Sequence, residues 1–257
     1  MTPPLWTLSL YQAVMILAAV LSVPCLLMYR NRWMNRAGSF LMVGVTVAWA
    51  SRLNVASHLP MFGAYESALS LAFFTGVILL LESRDQSYFS FYPSIVALLL
   101  YHGGRYSSNV YALTISERGF WVHLHSLAAF VSFGLAVLLV FASVLTLLKR
   151  EVEIKKILLI FYLFYTLTII SGSFYSFLLF GKPWTFDPIE TMNLASFLAL
   201  TTLLHVVSFE NWSPRKTAPW TILCCLLLVL AYRLILLFPP ESTYHIFDID
   251  LRIHVTK

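Results

Sequence analysis

The sequence predicts an all-α protein, a polytopic membrane helix bundle with about eight transmembrane helices and both termini outside. Of its 257 residues, 59% are apolar and only 11% are charged, and the mean hydropathy is +0.79. A soluble domain carries about a quarter charged residues. The composition therefore excludes a disordered protein, a nucleic-acid-binding domain and an ordinary cytosolic enzyme. The net charge of +5 is typical of basic loops beside a membrane.

The apolar residues form eight segments, and a bilayer is crossed by about 20 apolar residues. In chain order they lie at about 5–29, 38–57, 62–81, 88–103, 123–148, 157–179, 190–208 and 218–238. The first has neither a basic leading region nor a small-residue cleavage site, so we expect a retained span and not a signal peptide. The fourth is short. No internal repeat or linker divides the chain, which predicts a single transmembrane domain over residues 1–257.

The lysines and arginines alternate between the loops, and basic loops face the cytoplasm. The first, third, fifth and seventh loops hold ten of them, namely Arg30, Arg32, Arg36, Arg84, Lys149, Arg150, Lys155, Lys156, Arg215 and Lys216. The opposite loops and the tail hold Arg105, Arg118, Lys182, Arg252 and Lys257. This asymmetry places both termini on the outer side.

With that orientation, six of the seven histidines fall at or beyond the outer surface: His58, His102, His123, His125, His245 and His254. Histidine is the usual protein ligand of haem iron and of many other metals, although a single histidine is also tolerated at a membrane interface. His125 follows Trp121 by four residues, so both share one helix face, whereas His123 points to the other side.

The outer loop between the sixth and seventh segments reads FGKPWTFDPIETM over residues 180–192. It has a structural interpretation, because Asp187 is a favoured N-cap, Pro188 fits the first helical position and Glu190 can complete a capping box. Two aromatic side chains of this loop, Trp184 and Phe186, suit the interfacial aromatic belt of a membrane protein.

His205 lies fifteen residues beyond Glu190, which is about 22 Å of rise along one helix. It therefore approaches the inner face, opposite to the aromatic loop. An ionisable side chain inside a span is a functional candidate by default.

Taken together, these motifs resemble the cytochrome c assembly superfamily of membrane haem-handling proteins, the CcsA/CcmC type, which includes HemX-like proteins. The loop is similar to the family's WGxxWxWDxxETW. Residues 121–130 are similar to its WxxxHxxLAF and place the outer haem-ligand histidine at His125. His205 is spaced after the loop like the family's membrane-embedded histidine. Residues 58–60 and 65–67 resemble the HFP…YES stretch of the CcsA branch, which has eight spans and outside termini.

The resemblance implies that haem b is bound as a substrate on the outer face of the bacterial inner (cytoplasmic) membrane. It implies two outer axial ligands, His125 and His245, with His254 a weaker option for the second. It also implies contacts with haem from Trp121, Trp184, Phe186, Asp187 and Glu190. The implied partners are apocytochrome c, whose CxxCH thiols would receive the haem, and a membrane subunit of the Ccs1/ResB type. That subunit would supply the second ligand beside His205.

The loop departs from the family pattern at Phe180, Phe186, Ile189 and Met192. Phenylalanine stacks on a porphyrin but lacks the indole N–H donor. Two functions therefore stay open: the haem-handling subunit of a cytochrome c synthase (haem lyase), and a non-catalytic HemX-like protein that modulates haem biosynthesis or stabilises a membrane complex. A respiratory cytochrome b needs paired histidines within its spans, and the sequence has one clearly intramembrane histidine, His205.

A charged pair stands near the outer ends of the second and third segments, Arg52 and Glu66. Two interpretations are open. The pair is packing and polar glue between neighbouring helices, or Arg52 meets a haem propionate.

Overall fold

The computed structural model describes residues 4–28, 31–81, 89–106, 108–110, 112–148 and 154–234. These ranges contain eight α-helices, each on one of the predicted segments: α1 (Leu5–Leu27), α2 (Arg32–Ala56), α3 (Ala64–Leu81), α4 (Tyr92–Gly103), α5 (Phe120–Leu147), α6 (Ile154–Phe180), α7 (Pro188–Phe209) and α8 (Pro214–Leu234). A 3₁₀ turn, Ser116–Arg118, precedes α5. No strand occurs within the described ranges, and the predicted all-α fold is confirmed.

Six helices in the described part of the chain are long and apolar enough to cross a membrane, α1, α2, α3, α5, α6 and α7. Helices are required there because the bilayer core has no water to bond exposed backbone groups. Helix α4 has only 12 residues, in keeping with the short fourth segment. The membrane helix bundle is therefore confirmed, whereas the number of spans and the side of the termini stay predictions.

The described residues form two compact units, one within residues 4–114 and the other within residues 115–234. In the first unit, α1 packs on α2 and α4, and α3 packs on the same two helices. Small residues allow close approach: a Cβ added at Gly103 would lie 2.5 Å from the Cβ of Ala68. At the end of α4 the Tyr11 hydroxyl donates a 2.8 Å hydrogen bond to the carbonyl of Leu100, which ties α1 to α4.

A buried ion pair joins α2 to α3 in the first unit. Arg52 Nε donates to Glu66 Oε1 at 2.8 Å, and both side chains are about 5% exposed. The two terminal nitrogens of Arg52 donate to the carbonyls of Ser108 and Asn109, at 2.7 and 3.0 Å. The guanidinium therefore fastens the segment after α4 to the α2–α3 hairpin. This geometry supports the first interpretation of the pair, packing and polar glue between neighbouring helices.

Removing the charge of Glu66 is expected to destabilise the protein strongly. In Glu66→Gln the buried Arg52 guanidinium loses its counter-charge, which typically costs about 3–5 kcal/mol. The exposed Glu210 at the end of α7 is the matched control, and Glu210→Gln should change stability by less than about 0.5 kcal/mol. Thermal unfolding of the detergent-purified variants measures both. Equal stability of the two variants would contradict a structural role for the pair.

Candidate functional site

The second unit places two of the candidate residues on one face of α5, against α6. Helix α5 packs along α6 and also contacts α8, and α7 contacts α6 and α8. Near the start of α5, the Trp121 ring stacks on Phe174 of α6 with centroids 4.4 Å apart and planes 17° from parallel. His125 follows one turn later on the same face, so the predicted Trp121–His125 face is the one that meets α6.

His125 makes a hydrogen bond to the backbone of α6. Its Nδ1 lies 2.9 Å from the carbonyl oxygen of Thr168. Because a carbonyl oxygen only accepts, Nδ1 is the donor in this contact, and in the neutral imidazole Nε2 then carries the lone pair that can bind a metal ion. Gly172 provides the space, since a Cβ there would lie 2.9 Å from Nδ1 and Cε1 of the ring.

His123, two residues away, has a different environment. Its Nδ1 lies 2.9 Å from the carbonyl oxygen of Gly119, at the start of its own helix. The two rings therefore differ in what holds them. His125 is bound to a neighbouring helix, and His123 is bound to the beginning of α5.

The loop at residues 181–187 folds back along α6. Gly181 has a φ of 68°, in the left-handed region that glycine tolerates best. The carbonyl of the next residue, Lys182, accepts a 3.0 Å hydrogen bond from Ser176 Oγ, one turn before the end of α6. The loop therefore returns beside the helix that it has just left.

Because the loop folds back, α7 begins at about the same height along α6 as Thr168, which bonds to His125. The hydroxyl of Tyr165 donates to the carbonyl of Asn193 at 3.1 Å, which sets α6 beside α7. Pro188 precedes Asn193 by five residues, or about 7.5 Å, so α7 begins within about a turn of the level of Thr168. The antiparallel register continues one turn further along, where two rings stack 5.3 Å apart, Tyr162 and Phe197.

Both carboxylates of the loop bond to backbone groups. Asp187, which is buried, is the N-cap of α7 and accepts from the Glu190 N–H at 2.7 Å. Glu190 Oε2 accepts from the N–H and the hydroxyl of Thr185, at 2.6 and 2.8 Å. The predicted N-cap is confirmed. The reciprocal bond differs from a standard capping box because Glu190 reaches Thr185 and fixes the loop before the cap.

Two aromatic side chains of the loop have different properties: the indole of Trp184 carries an N–H donor, and the ring of Phe186 presents an apolar face. Trp184 Nε1 is buried and has no acceptor among the described residues, whereas nearly all buried N–H donors are paired. Phe186 adopts a φ of 59° and leaves its side chain 76% exposed, available for stacking.

The remaining histidine candidates lie elsewhere. His205 is exposed on α7, with its ring centroid 4.6 Å from that of Phe209, far along the helix from the loop. His245 and His254 lie outside the described residues. Among the described residues no cluster of three or more His, Cys, Asp or Glu side chains could hold a metal ion. Haem iron needs fewer protein ligands, because the porphyrin supplies four and the protein supplies only axial ones.

A family comparison matches nearly the whole chain. The sequence profile described as Cytochrome C assembly protein aligns with residues 4–239. The chain belongs to the cytochrome c assembly protein family. A solved structure, described as "Cytochrome c Heme Lyase CcmF", matches with a TM-score of 0.66 at 17% identity, a likeness of fold alone. The match covers 90% of this chain and 47% of that one, so this chain spans about half of its length. No curated protein sequence matches.

Membership gives this cytochrome c assembly protein a role in cytochrome c biogenesis. The six apolar helices fit an integral membrane protein. The sequence patterns located His125, Trp121 and the loop, but they missed the two α6 residues that seat the histidine. One sequence feature could have pointed to them. Gly172 is an isolated glycine inside an apolar helix, and such a glycine often marks close packing against a neighbouring group.

Removing the Glu190 carboxylate is expected to loosen the loop. In Glu190→Ala the two donors of Thr185 lose their acceptor, so chymotrypsin should cleave faster beside the exposed Phe186. The loss of such a terminal hydrogen bond costs about 1 kcal/mol, which leaves the bundle folded. Limited digestion with mass analysis of the fragments measures the rate, and Glu210→Ala at the opposite end of α7 is the control. Equal cleavage rates at residue 186 would contradict the bracing role of Glu190.

Proposed function

We propose that this protein, as a single haem-handling domain over residues 1–257, binds haem b as a substrate. It presents the reduced haem at the outer membrane face for thioether attachment to the CxxCH motif of an apocytochrome c. The observation that carries the proposal is His125, whose Nδ1 is bound to Thr168 and whose Nε2 therefore has the lone pair of an axial ligand.

The attachment chemistry needs positioning more than catalytic groups. Each cysteine thiol adds across one haem vinyl group: the S–H bond breaks, a C–S bond forms and the hydrogen passes to the neighbouring vinyl carbon. No electrons are gained or lost overall. Holding haem and peptide together supplies the effective concentration that such an addition requires. In the proposal, His125 and His245 bind the iron from its two faces and leave the vinyl edge accessible.

The aromatic loop supports the same proposal. Phe186 gives an exposed apolar surface for a porphyrin, and the unpaired indole N–H of Trp184 suits a propionate oxygen. Trp121 stacks on Phe174 one turn before His125 on the same face of α5, where its ring would lie near a haem bound to His125. In this scheme Asp187 and Glu190 act through the loop, since Asp187 caps α7 and Glu190 accepts from the backbone and hydroxyl groups of Thr185.

His205 would serve a second haem contact near the inner face. Its exposure on α7 makes the ring accessible to another subunit, and an iron bound there would require a second axial ligand from outside. In the proposal a partner of the Ccs1/ResB type supplies that ligand. The assembly would lie in the bacterial inner membrane, take up haem at His205 and present it beside His125.

The ligand assignment predicts a difference between two neighbouring histidines. His125→Gly should lose most of the haem of the outer site, and added imidazole should restore part of it because the small ligand fills the vacated space. His123→Gly is the matched control and should keep the haem. Reduced-minus-oxidised absorption spectra and pyridine extraction quantify both. Equal haem content in His125→Gly and the unmodified protein would overturn the assignment.

The departures from tryptophan in the loop favour testing a second candidate function, the non-catalytic HemX-like role. Deleting the gene and measuring covalent c-type haem distinguishes the two. Loss of covalent haem supports presentation to apocytochrome c. Normal covalent haem with altered levels of haem-biosynthesis enzymes would replace it with the HemX-like role.

A further inference from the structure

A side chain of α5, His125, reaches one backbone carbonyl of α6, that of Thr168. Side chains of an α-helix lean toward its N-terminus, so the side chain of a residue lies beside the carbonyl one turn earlier. Gly172 follows Thr168 by four residues and has no side chain to cover that carbonyl. The imidazole of His125 occupies the space instead, because a Cβ on Gly172 would meet the ring at 2.9 Å.

The surroundings of this carbonyl are polar and tightly held. Thr168 is buried, and its hydroxyl donates to the carbonyl of Phe164 at 2.9 Å. Its Oγ1 also lies 3.3 Å from the buried Oγ of Ser132 on α5. Ser171 Oγ lies 2.6 Å from the carbonyl oxygen of Leu167 and 3.2 Å from that of Thr168, so its single hydroxyl proton is shared at most weakly with Thr168. These contacts fix the height at which the histidine meets α6.

We infer that Gly172 and the carbonyl of Thr168 are positioning residues for His125, which set its tautomer and hold its ring in one orientation against α6. Histidines that bind metals commonly donate their other N–H to a carbonyl or carboxylate, which fixes the ring and strengthens the ligand. The inference rests on the proposed function in taking His125 as the haem ligand. The tautomer itself is a property of the chain without haem.

The tautomer can be measured in the haem-free protein. In ¹⁵N-histidine-labelled protein, NMR should show His125 with a protonated Nδ1 and a non-protonated Nε2, assigned by its absence in His125→Gly. In Gly172→Ala the added methyl group displaces the ring, so this pattern should change. Gly44→Ala is the matched control, since its added Cβ would meet only Val14 Cγ2 at 3.3 Å. A protonated Nε2 on His125 in the unmodified protein would overturn the inference without any variant.

Haem binding provides a second readout. Gly172→Ala should weaken haem binding by about 10- to 100-fold, as expected when the partner of a metal-binding histidine is lost, and Gly44→Ala should leave it unchanged. In the His125→Gly protein without imidazole, adding Gly172→Ala should not lower the residual haem content further, because the positioned ring is absent. Alanine has a higher helix propensity than glycine, so the substitution itself does not weaken α6. Unfolding curves verify that the Gly172→Ala variant is folded.

The outcomes separate this inference from the proposed function. If His125→Gly loses haem while Gly172→Ala keeps full affinity and the same NMR pattern, the positioning role fails and the ligand role stands. If His125→Gly keeps its haem while the NMR pattern depends on Gly172, the haem proposal fails, and the positioning of His125 for haem falls with it. Loss of haem in both variants with the altered NMR pattern supports both.

Discussion

The absence of water from the bilayer core is the constraint on which this structure depends. Every backbone polar group there must bond within its own segment, so each spanning segment is helical. Many hydroxyls obey the same rule by bonding to the carbonyl one turn earlier, as at Thr46, Ser51, Thr166 and Thr201. A polar side chain that reaches a different helix therefore marks a specific join in the bundle.

Three such joins illustrate the principle within the described residues. Tyr11 ties α1 to the end of α4, and the Arg52–Glu66 pair ties α2 to α3 and to the segment after α4. The first two stabilise the packing of the first unit. In the second unit, the bond of His125 to Thr168 joins α5 to α6 and also selects which ring nitrogen carries the lone pair.

The predictability of the structure varies with the range of the interactions involved. Helix α3 spans Ala64–Leu81 where the sequence predicts 62–81, because apolar length and helix formation are local properties. The N-cap at Asp187 was equally predictable, since it depends only on residues 187–190. The partner of Glu190 was not, because Thr185 is brought within reach by the loop conformation, including the positive φ of Phe186.

The sequence by itself determined the membrane class, the helical segments, the family and the face of α5 that carries Trp121 and His125. Composition and periodicity suffice for these because each depends on one segment at a time. Only the tertiary structure decided that the carbonyl of Thr168 receives the histidine and that the loop folds back to its level. The physical reason is that such contacts depend on where two helices cross and on one missing side chain, at Gly172, 47 positions away along the chain.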